Sequence, residues 1–272
     1  MATLSAIVFI FWPDEKDYIT ACFESVKWAD EIIVIDNGAN PETLAIAKKY
    51  SKKIYPTEDK SFAGRHNLAS QKATGDWLLF IDADERVSLP LKEEIKTVLE
   101  SEENLVAFQL RRVNYYLAKP FRFGDRYPDY VTRLFKKTNL KQWLGIIHES
   151  SEVDGGVGQL KGAFYHFTHR NIETMVQKTL VFSEPEARLR LDANHPPVVW
   201  WRLLRVFITE FFHRLIRLQG VREGTEGWID GILQAFSLFI VYARLWELQR
   251  KPSLEDSYKK LDEQVLSGEL TL

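Results

Sequence analysis

The fold is decided by the stretch Asp76-Trp77-Leu78-Leu79-Phe80-Ile81-Asp82-Ala83-Asp84-Glu85, where an apolar run ends in three carboxylates within four residues. An apolar run rich in aromatic and branched side chains predicts a buried strand. Open α/β sheets bind ligands at the carboxyl ends of such strands. Mg²⁺ takes carboxylate oxygens, often only one or two from the protein, with substrate phosphates completing its shell. Asp82 and Asp84 are therefore candidates for holding a metal-chelated phosphate, the alternative being a strand that ends in a solvated turn.

Strands and helices alternate around this stretch over the first part of the chain. Such alternation predicts a mostly parallel sheet with helices on both faces. A second buried strand ends in an acid, Asp36, which we expect at the same sheet edge as Asp82. The predicted elements are strands over 4–11, 31–36 and 53–55, and helices over 17–28, 42–50 and 65–73.

The rest of the chain changes character towards its C-terminal third. We divide it into a catalytic domain over 1–180 and a helical region over 181–272. The predicted elements beyond residue 90 are helices over 91–101, 172–191, 200–217 and 228–248, strands over 105–114, 130–136 and 162–167, and an ordered loop over 115–129.

Length, charge balance and cysteine content limit the classes of protein to which this chain can belong. The 272 residues suit one large domain, or one domain with an appendage. The balance of 36 basic against 38 acidic residues argues against nucleic acid as a partner, since duplex binders carry a basic excess. The only cysteine, Cys22, cannot form an internal disulfide, which favours a reducing compartment. The first apolar run lacks a basic flank and is too short to span a bilayer, so we expect a strand there.

Several short segments, taken in order, carry a family resemblance: Ile33-Val34-Ile35-Asp36-Asn37-Gly38, Arg65-His66-Asn67, 75–85, Tyr127-Pro128-Asp129, Arg133-Leu134-Phe135 and Gly145-Ile146-Ile147-His148-Glu149. Together they resemble the family 2 inverting glycosyltransferases, in particular the bacterial branch that includes lipopolysaccharide-core β-glucosyltransferases. The resemblance covers residues 4–180 best. It implies an α/β GT-A fold, Rossmann-like, with a mostly parallel central sheet flanked by helices and a C-terminal α-helical appendage.

The resemblance also implies roles for individual residues. An acceptor hydroxyl needs a base to take its proton, and the leaving diphosphate needs a cation to neutralise its charge. Where relatives often have Asn-Glu after the first strand, this chain has Asp14-Glu15. The implied roles are nucleotide-sugar binding for Asp36, Arg65, Asn67 and Asp82, binding of Mg²⁺ or Mn²⁺ for Asp84, and general base for Glu149. The alternative for Glu149 is a carboxylate that only organises the acceptor loop or pairs with Arg133. Arg133 and His148 are further candidates for contact with acceptor or diphosphate, the alternatives being an ion-paired arginine and a histidine bonded to backbone.

The resulting prediction is a cytoplasmic, metal-dependent inverting glycosyltransferase. It would move a sugar from a nucleotide-diphospho-sugar, a UDP-sugar by resemblance, to a glycan or lipid-linked saccharide of the cell envelope. One alternative is a sugar nucleotidyltransferase, although the Gly-rich basic loop expected after the first strand is missing. Another is a non-catalytic GT-A-like binding module, against which the intact acids argue. The absence of a Gln-x-x-Arg-Trp motif favours a single transfer over polymer synthesis.

The helix predicted around Trp200–Arg217 is amphipathic, with apolar residues at spacings of three and four and arginines between them. One interpretation places it on the inner surface of the cell membrane as a peripheral contact. The other packs it against the following apolar helix, as a hairpin or as a homodimer contact.

Overall fold

The computed structural model describes residues 2–12, 14–59, 61–101, 104–125, 127–145 and 149–269. The chain separates into two compact units, which we call the first unit (Met1–Phe121 and Tyr127–Thr168) and the second unit (Arg122–Arg126 and His169–Leu272). The predicted division at 180/181 falls inside a helix, Ile172–Asp192. The division therefore comes earlier, at 168/169, because the whole helix belongs to the second unit.

The first unit is built on one nine-stranded sheet and a separate two-stranded ribbon. The strand order in the large sheet is β3-β2-β1-β4-β8-β6-β11-β5, with β7 paired to β6. Among the described residues the strands are β1 (Leu4–Ile10), β2 (Glu31–Asp36), β3 (Lys53–Pro56), β4 (Trp77–Asp82), β5 (Glu85–Val87), β6 (Leu105–Tyr116), β7 (Lys119–Pro120), β8 (Asp129–Lys136), β9 (Leu140–Leu144), β10 (Ser150–Val153) and β11 (Gly156–His169).

The predicted parallel sheet is found in the first four strands. β3, β2, β1 and β4 pair in parallel, each joined to the next along the chain through a helix. Antiparallel strands extend this sheet beyond β4, as in the pairs β4–β8, β6–β8 and β5–β11. The α/β class, with helices beside the parallel strands, is confirmed.

The helices of the first unit are α1 (Lys16–Val26), α2 (Pro41–Tyr50), α3 (Phe62–Lys72) and α4 (Leu89–Glu100). They cover both faces of the sheet, because alternate side chains of a strand point to opposite sides. In β4, Leu79 and Ile81 join the core that packs on α1 and α4, whereas Leu78 and Phe80 join the core that packs on α3. The central strands are thus buried on both sides, which explains their continuous apolar sequence.

Two predicted boundaries are wrong. The first residues of the loop predicted over 115–129 belong to β6, which ends at Tyr116. The chain then turns into β7 through Leu117 and Ala118, both at positive φ. The short strand over 162–167 is part of the fourteen-residue β11. Aromatic and basic residues hide strand periodicity in both places, because these strands have only one consistently buried face.

The second unit is helical, with α5 (Ile172–Asp192), α6 (Trp200–Phe212), a π-helical turn (His213–Arg217), α7 (Thr225–Gln249) and α8 (Leu254–Ser267). α5 and α6 both pack on α7. The segment 122–126 belongs to this unit because the backbone N–H groups of Arg122 and Phe123 donate to the buried Glu223 carboxylate, at 2.8 and 3.0 Å. Within the described residues, α7 alone is long and apolar enough to cross a membrane by length and composition.

Candidate active site

The parallel strands bring the two predicted acids to one edge of the sheet. Asp36 ends β2 and Asp82 ends β4, with β1 between them. The register pairs Ile10 with Asp36 and Phe9 with Asp82, so both acids lie level with the end of β1. The prediction of a shared edge is confirmed, and this is the edge where open α/β sheets bind ligands.

The turn that carries Asp82 and Asp84 is held from inside by Glu85. The backbone N–H of Asp82 donates to Glu85 Oε2 at 3.1 Å. Glu85 is fully buried, and its Oε1 lies 3.7 Å from Arg112 Nη1. Burial, with the nearby Asp82 charge, raises the pKa of the Glu85 carboxyl. This third acid of the opening stretch therefore positions the turn from the protein interior.

Arg133 of β8 joins the acid at the strand end to the predicted base. Its Nη2 lies 3.0 Å from Asp82 Oδ2, and its Nη1 lies 3.8 Å from Glu149 Oε1. The guanidinium is buried, and its nearest charges are carboxylates, which hold its pKa above the usual value despite burial. Asp82, Arg133 and Glu149 thus form one charged cluster. The sequence predicted Arg133 as a contact for substrate, and the structure places it as the link between the two acids.

His66 supports Arg133 from the opposite side. His66 Nδ1 lies 2.8 Å from the Phe62 carbonyl, which can only accept, so Nδ1 carries the hydrogen. Nε2 therefore accepts from Arg133 Nη1, at 3.3 Å. Burial, with the adjacent Arg133 charge, lowers the pKa of His66 to about 3. Sequence reasoning assigned no role to this neutral, buried histidine, because its function comes from a residue 67 positions away.

Asp84 faces a histidine that was not among the predicted site residues. His166 Nε2 lies 3.5 Å from Asp84 Oδ2. Asn114 donates its amide N–H to Asp129 at 3.0 Å, so its Oδ1 accepts from His166 Nδ1, at 2.7 Å. This leaves Nε2 directed at Asp84, the arrangement that orients metal-ligating histidines. Asp84 and His166 are the pair best placed to hold a divalent cation.

The donor set fits Mg²⁺ or Mn²⁺ shared with a substrate. In the described part of the chain, no three His, Cys, Asp or Glu side chains lie close enough together to hold a metal. A closed protein cage is not expected for Mg²⁺, which keeps most of its shell for water and substrate phosphates. A carboxylate with one imidazole beside it leaves those positions open.

Two of the predicted nucleotide contacts lie at this edge. Asp36 Oδ1 accepts the backbone N–H groups of Gly38 and Ala39, at 3.0 and 2.7 Å, and so shapes the loop after β2. Arg65 is buried, with its guanidinium 4.8 Å from the Phe11 ring centroid and 4.5 Å from that of Phe62. Burial lowers the pKa of Arg65.

The side chain of Asn67 pairs with backbone groups of β9. Its carboxamide donates to the Trp143 carbonyl at 3.0 Å and accepts the Trp143 N–H at 2.8 Å. Both ends of the side chain therefore pair with the backbone of β9. These contacts fasten β9 onto α3, and the nucleotide contact of Asn67 stays a prediction.

The predicted base Glu149 is partly shielded from solvent, with 21% of its side chain exposed. Burial raises its pKa, and the Arg133 charge offsets part of this rise. A raised pKa suits a general base, because proton transfer is most effective when the base titrates near the working pH. The neighbouring His148 lies outside the described residues.

Glu15 is a buried acid that sequence reasoning noted but assigned no role. It is 2% exposed and ends the loop that leads into α1. Burial is the main reason that its pKa lies well above the usual range, and the charges of Asp84 and Asp82 raise it further. Its Oε1 accepts the Trp12 N–H at 3.3 Å. The signal for it was the Asp14-Glu15 pair after the first strand, which the family resemblance singles out.

Comparison with known proteins decides the family. The family model described as "Glycosyl transferase family 2" matches residues 7–154, more than half of the chain. The chain belongs to glycosyl transferase family 2. It is therefore a glycosyltransferase with the GT-A fold, and the alternatives of a nucleotidyltransferase and a binding module are set aside.

Two curated relatives match this glycosyltransferase along most of its length. An uncharacterised glycosyltransferase of Rickettsia typhi is 26% identical over 269 residues, covering 89% of this chain and 87% of the relative. The lipopolysaccharide core biosynthesis glycosyltransferase LpsC of Rhizobium meliloti is 25% identical over 268 residues, covering 92% and 96%. Among solved structures, TarS (residues 1–349) of S. aureus in complex with UDP-GlcNAc is 15% identical, with a TM-score of 0.45 and coverage of 95% and 92%.

Proposed function

We propose that this glycosyltransferase transfers one sugar, with inversion, from a nucleotide-diphospho-sugar to a glycan or lipid-linked saccharide. The observation that carries the proposal is the cluster in which Arg133 joins Asp82 to Glu149, at 3.0 and 3.8 Å. It brings an acid from the donor-binding strand end and a base of raised pKa to one place. An inverting transfer requires a base beside the bound donor, and this placement supports Glu149 in that role.

Each residue then has a chemical task. Glu149 takes the proton of the acceptor hydroxyl as its oxygen bonds to the anomeric carbon. The bond from that carbon to the diphosphate oxygen breaks on the opposite face of the sugar. Asp82, held by Arg133, and Asp36 contact the nucleoside, as the family resemblance implies. Neutral His66 keeps the Arg133 guanidinium oriented without adding charge.

We propose Mg²⁺ or Mn²⁺ as the cofactor, with Asp84 and His166 as its protein ligands. The cation would supply positive charge to the leaving diphosphate. Asn114 orients the His166 ring towards Asp84, and Asp129 in turn orients Asn114. The support is the chemistry and placement of these side chains.

The proposed classes of sugar donor and of acceptor are inferred from similarity to other proteins. The resemblance to family 2 enzymes supports a UDP-sugar as donor. The similarity to LpsC, a protein named for lipopolysaccharide core biosynthesis, supports a cell-envelope acceptor. For such an acceptor we propose a cytoplasmic enzyme that works beside the inner face of the cell membrane.

The proposal is tested by a nucleotide-sugar screen with and without Mn²⁺. We expect one UDP-sugar to stabilise the protein against thermal unfolding only when the metal is present, by about 2.7 kcal/mol at 100 times its dissociation constant. We expect Asp84→Asn to abolish the stabilisation that the nucleotide-sugar gives in the presence of metal. The exposed Asp154→Asn on the same unit should keep that stabilisation. Failure of every nucleotide-sugar to bind or turn over would contradict the proposed donor class.

A further inference from the structure

One face of α6 is strongly apolar and open to solvent. Five large apolar residues recur every four positions, and a second tryptophan lies beside the first. Their exposed fractions run from 43% to 73%, while Val206 is the buried residue of α6. We call this surface the α6 face, formed by Trp200, Trp201, Leu204, Ile208, Phe212 and, in the π-helical turn, Ile216. Soluble proteins rarely leave such a continuous apolar stripe uncovered.

The apolar surface continues onto α7. The ring of Phe211 lies 6.1 Å from that of Trp228, which is itself exposed. Ile232 and Phe236 follow Trp228 at helical spacing and are exposed as well. The stripe on α6 is therefore the edge of a broader apolar patch on the second unit.

The exposed charged side chains of the segment 200–217 are all arginines. Arg205 and Arg217 are exposed, and the guanidinium of Arg205 lies 5.4 Å from the Trp201 ring centroid. The one acid in the segment 200–217 is Glu210, which is half-buried and bonded to Arg214 Nε at 2.7 Å. The solvent side of the segment thus presents cations and aromatic rings, with no exposed carboxylate.

Arg214 is not part of this basic edge, although the sequence pattern groups it there. Besides Glu210, its guanidinium lies 3.4 Å from Asp125 and 3.3 Å from the Gly124 carbonyl. These contacts fasten the segment 122–126 within the second unit. The arginines available to an external partner are those at 205 and 217.

We propose that the α6 face binds the surface of an anionic lipid bilayer, lying in the plane of the head groups. Trp, Phe, Leu and Ile side chains would enter the boundary between head groups and acyl chains, and arginines at its edge would meet lipid phosphates. Tryptophan prefers this boundary, because it is amphipathic. The proposal concerns a surface of the second unit and depends on no step of the proposed reaction.

Charge favours a bilayer over a second copy of the chain. A two-fold symmetric contact would place the α6 face against itself. Arg205 and Arg217 would then meet the same arginines of the partner with no exposed acid between them. An anionic head-group layer supplies the missing negative charge.

The contacts of α7 favour a surface position over a membrane span. α7 has the length and hydropathy of a span. However, Asp230 in its first half is 1% exposed, and its Oδ1 lies 3.7 Å from His169 Nδ1. Insertion of α7 would break this pair and the packing of α5 and α6 on α7. We therefore place the apolar patch on the membrane and α7 outside its hydrocarbon core.

The test is flotation of the purified full-length protein with liposomes. We expect the protein to float with vesicles of phosphatidylcholine and phosphatidylglycerol and to stay at the bottom with phosphatidylcholine alone. Raising the salt concentration weakens binding, because exposed charges are screened. Arg205→Glu with Arg217→Glu lowers binding at least about tenfold, since each cation near an anionic surface contributes to affinity. The matched control is Lys48→Glu with Lys49→Glu on α2, which makes the same charge change at exposed positions.

A second pair of variants tests the apolar contribution. Trp200→Ser with Ile208→Ser should also abolish flotation, whereas Leu89→Ser with Leu266→Ser, at exposed positions outside the patch, should not. Circular dichroism and nucleotide-induced thermal stabilisation check that each variant is folded. A variant that loses flotation but keeps donor binding separates this proposal from the proposed reaction.

Three results would overturn the proposal. Equal binding to neutral and anionic vesicles, or none to either, would remove the role of lipid charge. A dimer in sedimentation that dissociates on Trp200→Ser with Ile208→Ser would assign the surface to a second copy. Protein that resists extraction from the vesicles by alkaline carbonate would show a spanning helix instead of a surface contact.

Discussion

At the scale of single residues, the candidate site depends on one buried arginine that contacts two acids at unequal distances. Arg133 bonds directly to Asp82 at 3.0 Å and approaches Glu149 less closely, at 3.8 Å. Asp82 therefore receives the closer contact with the guanidinium. Glu149 receives less stabilisation and remains raised in pKa, because burial outweighs the arginine. The same cation thus contacts Asp82 directly and leaves Glu149 with a raised pKa, which suits a general base.

Replacing Glu149 tests its role as base. We expect Glu149→Gln to lower kcat by about a hundred- to ten-thousand-fold, with little change in donor binding, because the amide cannot take the acceptor proton. In the wild type, kcat should fall as pH drops through the raised pKa of Glu149, and the variant should lose this acid limb. Steady-state kinetics across pH measures both effects.

The matched control is Glu152→Gln, an exposed glutamate on the neighbouring strand β10. Its kcat should equal that of the wild type. Full turnover by Glu149→Gln, at any pH, would assign the base to another residue while leaving the Asp84 metal prediction in place.

At the scale of elements, the site depends on a clamp between α3 and the β9–β10 ribbon. Asn67 bonds both backbone groups of Trp143, and the Trp143 ring lies 4.3 Å from that of His66. The ribbon leads directly to the segment that carries Glu149. The clamp therefore helps to position the base relative to Arg133, although Asn67 itself touches neither acid.

Removing the clamp should affect stability more than donor affinity. Asn67→Ala leaves two backbone groups of Trp143 unpaired, which costs about 1–3 kcal/mol each when they are buried. We expect a lower free energy of unfolding in urea and an unchanged dissociation constant for the nucleotide. The exposed Gln71→Ala on the same helix serves as control. A large loss of nucleotide affinity at unchanged stability would instead support the nucleotide contact predicted for Asn67.

At the scale of the whole molecule, the buried His66 links global stability to pH. Its pKa of about 3 in the folded protein lies far below the ordinary value of 6.5. Between these values the unfolded chain binds a proton that the folded protein does not. Stability therefore rises with pH across this window and falls on acidification.

This linkage gives a measurable difference. From pH 7 to pH 5, His66 alone should lower the free energy of unfolding by about 2 kcal/mol. Urea titrations of wild type and His66→Gln at both pH values isolate the contribution of His66 to the pH dependence of the free energy of unfolding. All other titrating groups are common to the two proteins. The exposed and non-titrating Gln71→Ala on the same helix should retain the wild-type slope. Identical slopes in wild type and His66→Gln would show that the histidine titrates normally.

The sequence by itself determined the parts of this protein that local pattern encodes. The buried strands at 31–36 and 76–82, each ending in an acid, predicted the α/β sheet and its shared edge. Continuous apolar strands that alternate with helices are typical of a parallel sheet. The order of short motifs indicated the family. The amphipathic spacing of 200–217 predicted a helix, but not which of its sides would stay exposed.

Only the tertiary structure decided which side chains meet. Arg133 lies 51 residues from Asp82 along the chain, and His166 lies 82 from Asp84. Their pairing depends on antiparallel strands that extend the parallel sheet, and no local periodicity encodes that register. Asn67 shows the same limit, since a motif position says nothing about which backbone its amide will meet. The position of the basic edge on α6 was likewise decided by packing, because Arg214 turns to Asp125 while Arg205 and Arg217 remain exposed.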